Sequence, residues 1–272
     1  MSDQPVDHLS MKRAVYRIAG MESAVVKRDH VYRTAESGPL TMDVYHPADT
    51  TAETMLPAVV FVAGYNDVGY EKMLGRKFKD MAMTVSWCQL VAACGMTAVS
   101  YTNRDPAPDL DRLLDHVRGN AAALGVDSQR IGLWACSGNV PLAISALMRR
   151  RDLLKCAVLL YGYMLDLDGA TGVADAAQSY RFTNPNAEKT MNDLPDDVPL
   201  FIVRAGQEQF PNLNESIDRF LAKAVALNRP ITFVNHADGP HAFDIMQDSP
   251  ASRAVIQQTL GFLSAQLTPA GS

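Results

Sequence analysis

From Pro57 onward, short uninterrupted apolar runs alternate with stretches of helical periodicity. The runs are Ala58-Val-Val-Phe-Val62, Ile131-Gly-Leu-Trp-Ala135, Cys156-Ala-Val-Leu-Leu-Tyr161 and Leu200-Phe-Ile-Val203, and Thr97-Ala-Val-Ser-Tyr101 and Ile231-Thr-Phe-Val234, with polar positions among the apolar ones, read as two further strands. Short runs without polar alternation suit strands buried on both faces. Helical patterns lie between most of them, at 78–94, 110–124, 140–151 and 214–226, and a final one follows the last, at 251–267. Parallel strands cannot be joined by a tight hairpin and need a crossover, usually a helix. The alternation therefore restricts the chain to an α/β fold: a mostly parallel sheet with helices on both faces.

Two earlier segments, Val25-Val-Lys-Arg-Asp-His-Val-Tyr32 and Leu40-Thr-Met-Asp-Val-Tyr-His46, alternate in polarity and read as a half-exposed hairpin, which brings the strand count to eight. The chain has 272 residues, 47% of them hydrophobic, which suits one large domain spanning 1–272. Residues 1–22 read as an N-terminal arm. Residues 162–197 contain no buried strand and read as a cap-like excursion over the sheet edge. A net charge of −5 argues against a nucleic-acid partner. No basic segment leads into an apolar stretch at the N-terminus, and no apolar run reaches membrane-spanning length, so a cytoplasmic protein without a membrane partner is expected. Cys88, Cys94, Cys136 and Cys156 form no CxxC pair, so buried free thiols are expected rather than a disulfide framework or a zinc site.

Open parallel sheets bind ligands at the carboxyl ends of their strands. After the fifth strand, Ala135-Cys136-Ser137-Gly138-Asn139 leads directly into a helical pattern, the layout of a turn that carries a nucleophile. Residues two away from the nucleophile must be small, and Trp134 would flank Cys136, so Ser137 is favoured over Cys136. Asn139 is acceptable there because asparagine tolerates left-handed geometry. After the third strand, Gly64-Tyr65-Asn66-Asp67 offers close backbone approach, with the N–H groups of Tyr65 and Gly138 as candidate oxyanion donors. An ordinary strand-to-helix turn would look the same. Asn103 and Arg104 follow the fourth strand and either position a substrate or cap the next helix. Glu208 is the carboxylate in the turn after the seventh strand, with Asp166 and Asp168 after the sixth as alternatives. After the eighth strand, the Gly239-Pro240-His241 loop offers a base, with His236 as rival. Tyr101, Tyr161, Tyr163, Phe210 and Phe243 lie near strand ends, where they would line an apolar pocket.

A serine, a carboxylate and a histidine in that chain order, each at a strand end, make the chain resemble the α/β-hydrolase superfamily, most closely its dienelactone-hydrolase-like and small-carboxylesterase branch. The resemblance runs from about Val31 to Leu267 and rests on Val62-Ala63-Gly64-Tyr65, Ile131-Gly-Leu-Trp-Ala-Cys-Ser-Gly138, Pro199-Leu-Phe-Ile-Val-Arg-Ala-Gly206 and Gly239-Pro-His-Ala-Phe243. It implies an eight-stranded sheet, no metal, no organic cofactor, and an acyl-enzyme mechanism on a small-molecule ester or lactone. Ser137 would be nucleophile, His241 base then acid, and Glu208 the orienting acid. The chain departs from the pattern at Ala63, where histidine is common, and at Ala135, Asn139 and Ala242, where glycines are common. It also carries Glu208 where Asp is usual, and Ser137 where dienelactone hydrolases have cysteine. A peptidase or amidase on the same scaffold, and a non-catalytic ligand binder, are the competing readings. By analogy with the family, the eighth strand or final helix would be the surface for a homodimer.

Overall fold

The computed structural model describes residues 7–35, 38–51 and 53–268. The first six residues of the expected N-terminal arm lie outside them. The strands are β1 (Val25–Ala35), β2 (Gly38–His46), β3 (Leu56–Phe61), β4 (Thr97–Tyr101), β5 (Val126–Cys136), β6 (Leu154–Leu160), β7 (Leu200–Gln207) and β8 (Ile231–Pro240). The helices are α1 (Asp7–Ser10), α2 (Asp67–Leu74), α3 (Ala82–Ala93), α4 (Pro106–Gly119), α5 (Ala121–Leu124), α6 (Val140–Arg149), α7 (Gly172–Tyr180), α8 (Leu213–Ala226), α9 (Phe243–Met246) and α10 (Pro250–Leu267).

All eight strands form one sheet in the order β1-β2-β4-β3-β5-β6-β7-β8. β1, β2 and β4 pair antiparallel, and every pairing from β4 through β3 to β8 is parallel. β3 and β4 are almost wholly buried, whereas the edge strand β8 is largely exposed. That contrast matches the apolar runs of the central strands and the mixed polarity of the last. Trp134 on β5 packs between Phe61 of β3, at 4.9 Å, and Trp87 of α3, at 5.1 Å between ring centroids. All three side chains are fully buried.

Local signals set the helix ends. Asn66 caps α2 by accepting the Gly69 N–H at 2.7 Å, and Ser249 caps α10 ahead of Pro250. Several boundaries differ from the sequence reading. The helix expected over 78–94 is a 3-10 turn, Phe78–Asp80, then α3, because Met81 between them is extended. The helix expected over 110–124 starts at Pro106, which fits the first turn because it lacks an N–H that would go unpaired there. α2 was not anticipated. Residues 162–197 contain α7 and a 3-10 turn, Met191–Asp193, and no strand.

The most useful differences are at three strand ends. β5, β7 and β8 run further than their apolar cores and stop at Cys136, Gln207 and Pro240. Ser137, Glu208 and His241 are therefore each the first residue beyond a strand. Cys88, Cys136 and Cys156 are buried and Cys94 is half-buried, all as free thiols. No described helix is long and apolar enough to cross a membrane.

Candidate active site

Ser137 opens a 3-10 turn, Ser137–Asn139, that joins β5 to α6. Its φ is 53°. A non-glycine residue in the left-handed region costs roughly 1–2 kcal/mol, and such strain gathers at functional sites. Tyr161 and Ala242, also beside the site, share it with φ of 37° and 57°. A glycine at position 242 would relax that strain.

Ser137 Oγ lies 2.9 Å from His241 Nε2, and His241 Nδ1 lies 2.6 Å from Glu208 Oε2. A carboxylate only accepts, so it takes the Nδ1–H and leaves the Nε2 lone pair facing the serine hydroxyl. Glu208 and His241 leave the sheet side by side, because Gln207 and Pro240, just before them, are register partners. Gly206 makes this approach possible: a Cβ there would lie 2.0 Å from the Ala237 carbonyl oxygen. The longer arm of glutamate is taken up by curling back over its own turn. Glu208 Oε1 accepts the N–H groups of Gln209 and Phe210 at 2.8 and 2.9 Å.

The Glu208 side chain is 1% exposed. Burial alone would raise its pKa. The hydrogen bond and charge of His241, with the two amides, outweigh that and hold the carboxyl below its ordinary value. Edge-on contacts from Tyr161, at 5.0 Å, and Phe210, at 4.6 Å, fix the His241 ring from two directions. Asp244, on the short helix after His241, is fully buried and accepts from Trp87 Nε1 at 2.7 Å and from the Tyr161 hydroxyl at 2.5 Å. Its burial raises its pKa, with those two hydrogen bonds opposing.

The loop after β3 has nearly all its backbone polar groups engaged. Ala63 N–H donates to the Tyr101 hydroxyl, and its carbonyl accepts from Asn103 Nδ2 at 3.3 Å. Gly64 N–H donates to Asn139 Oδ1 at 2.7 Å, and its carbonyl accepts the Thr183 N–H at 2.8 Å. The Tyr65 carbonyl accepts from Asn103 Nδ2 at 3.1 Å. The Tyr65 N–H has no such partner among the described residues. Tyr65 is half-buried and borders the cavities beside Ser137, which leaves this N–H open to a partner from outside the chain. Gly64 is pressed against the elbow so closely that a Cβ would fall 2.6 Å from the Gly138 carbonyl oxygen.

Asn139 itself corrects an expectation. Its φ and ψ are −85° and −19°, ordinary right-handed values, and the left-handed residue of the turn is Ser137. Backbone tolerance therefore does not explain the asparagine.

Two cavities meet at Ser137. One of about 390 Å³ is walled by Tyr65, Tyr163, Tyr180, Phe182 and Phe210, with Arg181 as its charged member. The other, about 200 Å³, reaches Tyr161 and His241 and is walled by Leu9, Met73, Met81, Met83 and Ile245. Of the residues expected to contact substrate, Tyr161, Tyr163 and Phe210 do line these cavities. The others need correcting. Asn66 caps α2 and, with Asn103 and Arg104, borders a separate cavity. Asn103 is fully buried and braces the β3 loop, and Arg104 reaches back to the Gly38 carbonyl oxygen. Gly64 has its N–H committed to Asn139. Phe243 is fully buried and packs on Tyr161 and His236.

The rivals lie elsewhere. His236 sits inside β8 against Ser252 Oγ. Asp166 accepts the N–H groups of Val173 and Ala174 in the first turn of α7, and Asp168 pairs with Lys223. Burial holds the Cys136 thiol far above its ordinary pKa. Asp244, the methionines and the Tyr180-Arg181-Phe182 wall escaped the sequence reading. The last of these carried a local signal, an aromatic pair around a cation in a segment over the sheet edge. No group of three His, Cys, Asp or Glu side chains suited to a metal ion occurs among the described residues.

The sheet order, the connections and the strained strand-to-helix turn define the α/β-hydrolase fold. No protein-family model matches the chain, and no curated protein matches it by sequence. Solved structures do. Esterase LipW from Mycobacterium marinum superposes with a TM-score of 0.67 at 16% identity, covering 90% of this chain and 83% of LipW. Thermogutta terrifontis esterase 2 phosphorylated by paraoxon gives 0.65 at 20% identity, over 92% and 97% of the two chains. A bacterial heroin esterase gives 0.69 at 12% identity, over 94% and 88%. At these identities the likeness is one of fold.

Proposed function

We propose that the protein is a serine hydrolase that cleaves a carboxylic ester or lactone through an acyl-enzyme. The observation that carries this is the unbroken chain from Ser137 Oγ through His241 to Glu208, at 2.9 and 2.6 Å, opening onto an apolar cavity. The naming of three structural neighbours as esterases, one of them phosphorylated by paraoxon, adds support.

In this reading His241 Nε2 takes the Ser137 proton as Oγ attacks the ester carbonyl. The carbonyl oxygen becomes an oxyanion, held by the N–H groups of Tyr65 and Gly138. The imidazolium, stabilised by Glu208, then gives the proton to the departing alcohol. Water, activated by the same histidine, releases the acid. The proton reaches the leaving oxygen from His241, so the alcohol portion belongs to the methionine-walled cavity that touches His241. The acyl portion then takes the aromatic-walled one. Two apolar walls suit an ester whose acid and alcohol are both largely apolar.

The test is hydrolysis of short p-nitrophenyl esters by the wild type and by Ser137→Ala, with mass-spectrometric mapping of a fluorophosphonate probe. Turnover that depends on Ser137, and labelling at Ser137, are expected. Equal turnover by the two proteins across a broad ester panel would sink the reading.

A further inference from the structure

We propose that Asn139 is a positioning residue for the oxyanion site: its side-chain carbonyl holds Gly64 so that the Tyr65 N–H faces the reacting carbonyl. This rests on the ester-hydrolase reading above.

Gly64 is where the loop is most constrained and also most free. It has to be glycine, because any Cβ would collide with the Gly138 carbonyl oxygen and with Asn139 Cα, 2.6 and 2.8 Å away. Glycine in turn ranges over more of φ/ψ space than any other residue. The next peptide unit carries the Tyr65 N–H, so unrestrained rotation at Gly64 would swing that donor off target.

Two hydrogen bonds remove the freedom, one on each side of the Gly64 Cα. Behind it, Gly64 N–H donates to Asn139 Oδ1 at 2.7 Å. Ahead of it, Thr183 N–H donates to the Gly64 carbonyl at 2.8 Å. The Gly64–Tyr65 peptide is planar and trans, so a C=O fixed toward Thr183 sends the Tyr65 N–H the opposite way.

The Asn139 amide has its orientation set by its neighbours. Gly64 N–H can only donate, so the oxygen must face it. The Tyr70 hydroxyl donates to the same oxygen at 2.5 Å, and Asn139 Nδ2 points to Cys136 Sγ at 3.7 Å. Burial, then the neighbouring Cys136 and Tyr65, keep Tyr70 far above its ordinary pKa and so protonated as a donor. Asn139 and Tyr70 are each 4% exposed, which shields these bonds from water. Asn139 also sits on the turn that carries Ser137 and Gly138. One short turn thus presents the nucleophile, supplies one oxyanion donor and aligns the other. A glycine at 139, usual in the family, would have no side chain to do this.

The experiment compares Asn139→Gly and Asn139→Asp with wild type in p-nitrophenyl acetate hydrolysis, alongside binding of a trifluoromethyl ketone that forms a tetrahedral adduct. For Asn139→Gly, kcat should fall about 10- to 100-fold, less than the ~10²–10³ for deleting an oxyanion donor outright. KM should stay within about threefold, and the ketone should bind more weakly by the same factor as kcat, because the donor acts on the tetrahedral species. Asn139→Asp keeps an oxygen acceptor and should stay within about fivefold of wild-type kcat. Circular dichroism reports folding.

A folded Asn139→Gly protein within twofold of wild-type kcat overturns the inference. So does a folded Asn139→Asp protein as slow as the glycine variant. Should Asn139→Gly fail to fold, Asn139→Asp decides alone: near-wild-type kcat supports the inference, and loss of kcat in a folded protein overturns it. Ser137→Ala separates the two levels. If it abolishes turnover while Asn139→Gly does not lower it, only this inference fails. If turnover survives Ser137→Ala, the reading beneath it fails.

Discussion

The two sides of Ser137 are built from different materials. On one side, a web of hydrogen bonds holds the loop after β3: Gly64 bonds Asn139 and Thr183, the Tyr65 carbonyl bonds Asn103, and Tyr70 bonds Asn139 in turn. On the base side, two hydrogen bonds run in series through three side chains, Ser137, His241 and Glu208. A web loses function by degrees as members are removed, whereas a series loses it at the first break.

The sharpest test of that contrast is in the series. Ser137→Ala and His241→Ala should each lower kcat on the order of 10⁶-fold, and the double variant should be no slower than either alone. Single-turnover kinetics on the three proteins would measure this. Additive losses would mean that the two side chains do not work as a unit. Glu208→Gln should cost less, about 10⁴-fold in kcat, because the ring stays in place but its tautomer is no longer enforced. A loss below tenfold would point to another carboxylate.

The smallest effect belongs to the web and shows in stability. Asp67 lies beside the loop after β3, 7% exposed, with one carboxyl oxygen accepting the Asn103 N–H and the other unpartnered among the described residues. Burial raises its pKa to about 7, against partial relief from Lys77 and the Asn103 amide. The folded state therefore holds a proton that the unfolded state has released, and stability falls as pH rises from the ordinary carboxylate range to about 7. Asp67→Asn should match wild type below that window and exceed it by several degrees in Tm above it, at roughly 2–4 °C per kcal/mol for a chain of this size. Calorimetry at three pH values would check it, and a pH-independent difference would refute it.

The two sides also differ in how far their residues were legible in the sequence. Strands buried on both faces write themselves as apolar runs, so the α/β fold and the approximate strand positions could be read locally, although β5, β7 and β8 run past their apolar cores. Ser137, Glu208 and His241, which the structure brings into one hydrogen-bonded chain, could be picked out as candidates because each follows a strand. The web was not. Asp244 meets Trp87 and Tyr161 across 157 and 83 residues of chain, and Asn103 braces a loop some 40 residues before it. Hydrogen bonds between residues so far apart leave no local pattern. Asn139 was misread for a related reason. It was judged by its backbone tolerance, while its side chain holds a residue 75 positions earlier.

The hydrogen bond from Trp87 to Asp244 also gives the molecule an optical property. The chain has only two tryptophans, Trp87 and Trp134, both fully buried and 5.1 Å apart between ring centroids. The indole N–H of Trp87 is tied to a carboxyl group three residues beyond His241, and Trp134 lies three residues before Ser137. Near-ultraviolet tryptophan emission thus originates beside both the elbow and the histidine loop. A Trp134→Phe protein would leave Trp87 as the single tryptophan, excitable apart from the tyrosines at the red edge of absorption, a label-free gauge of whether the histidine loop is docked.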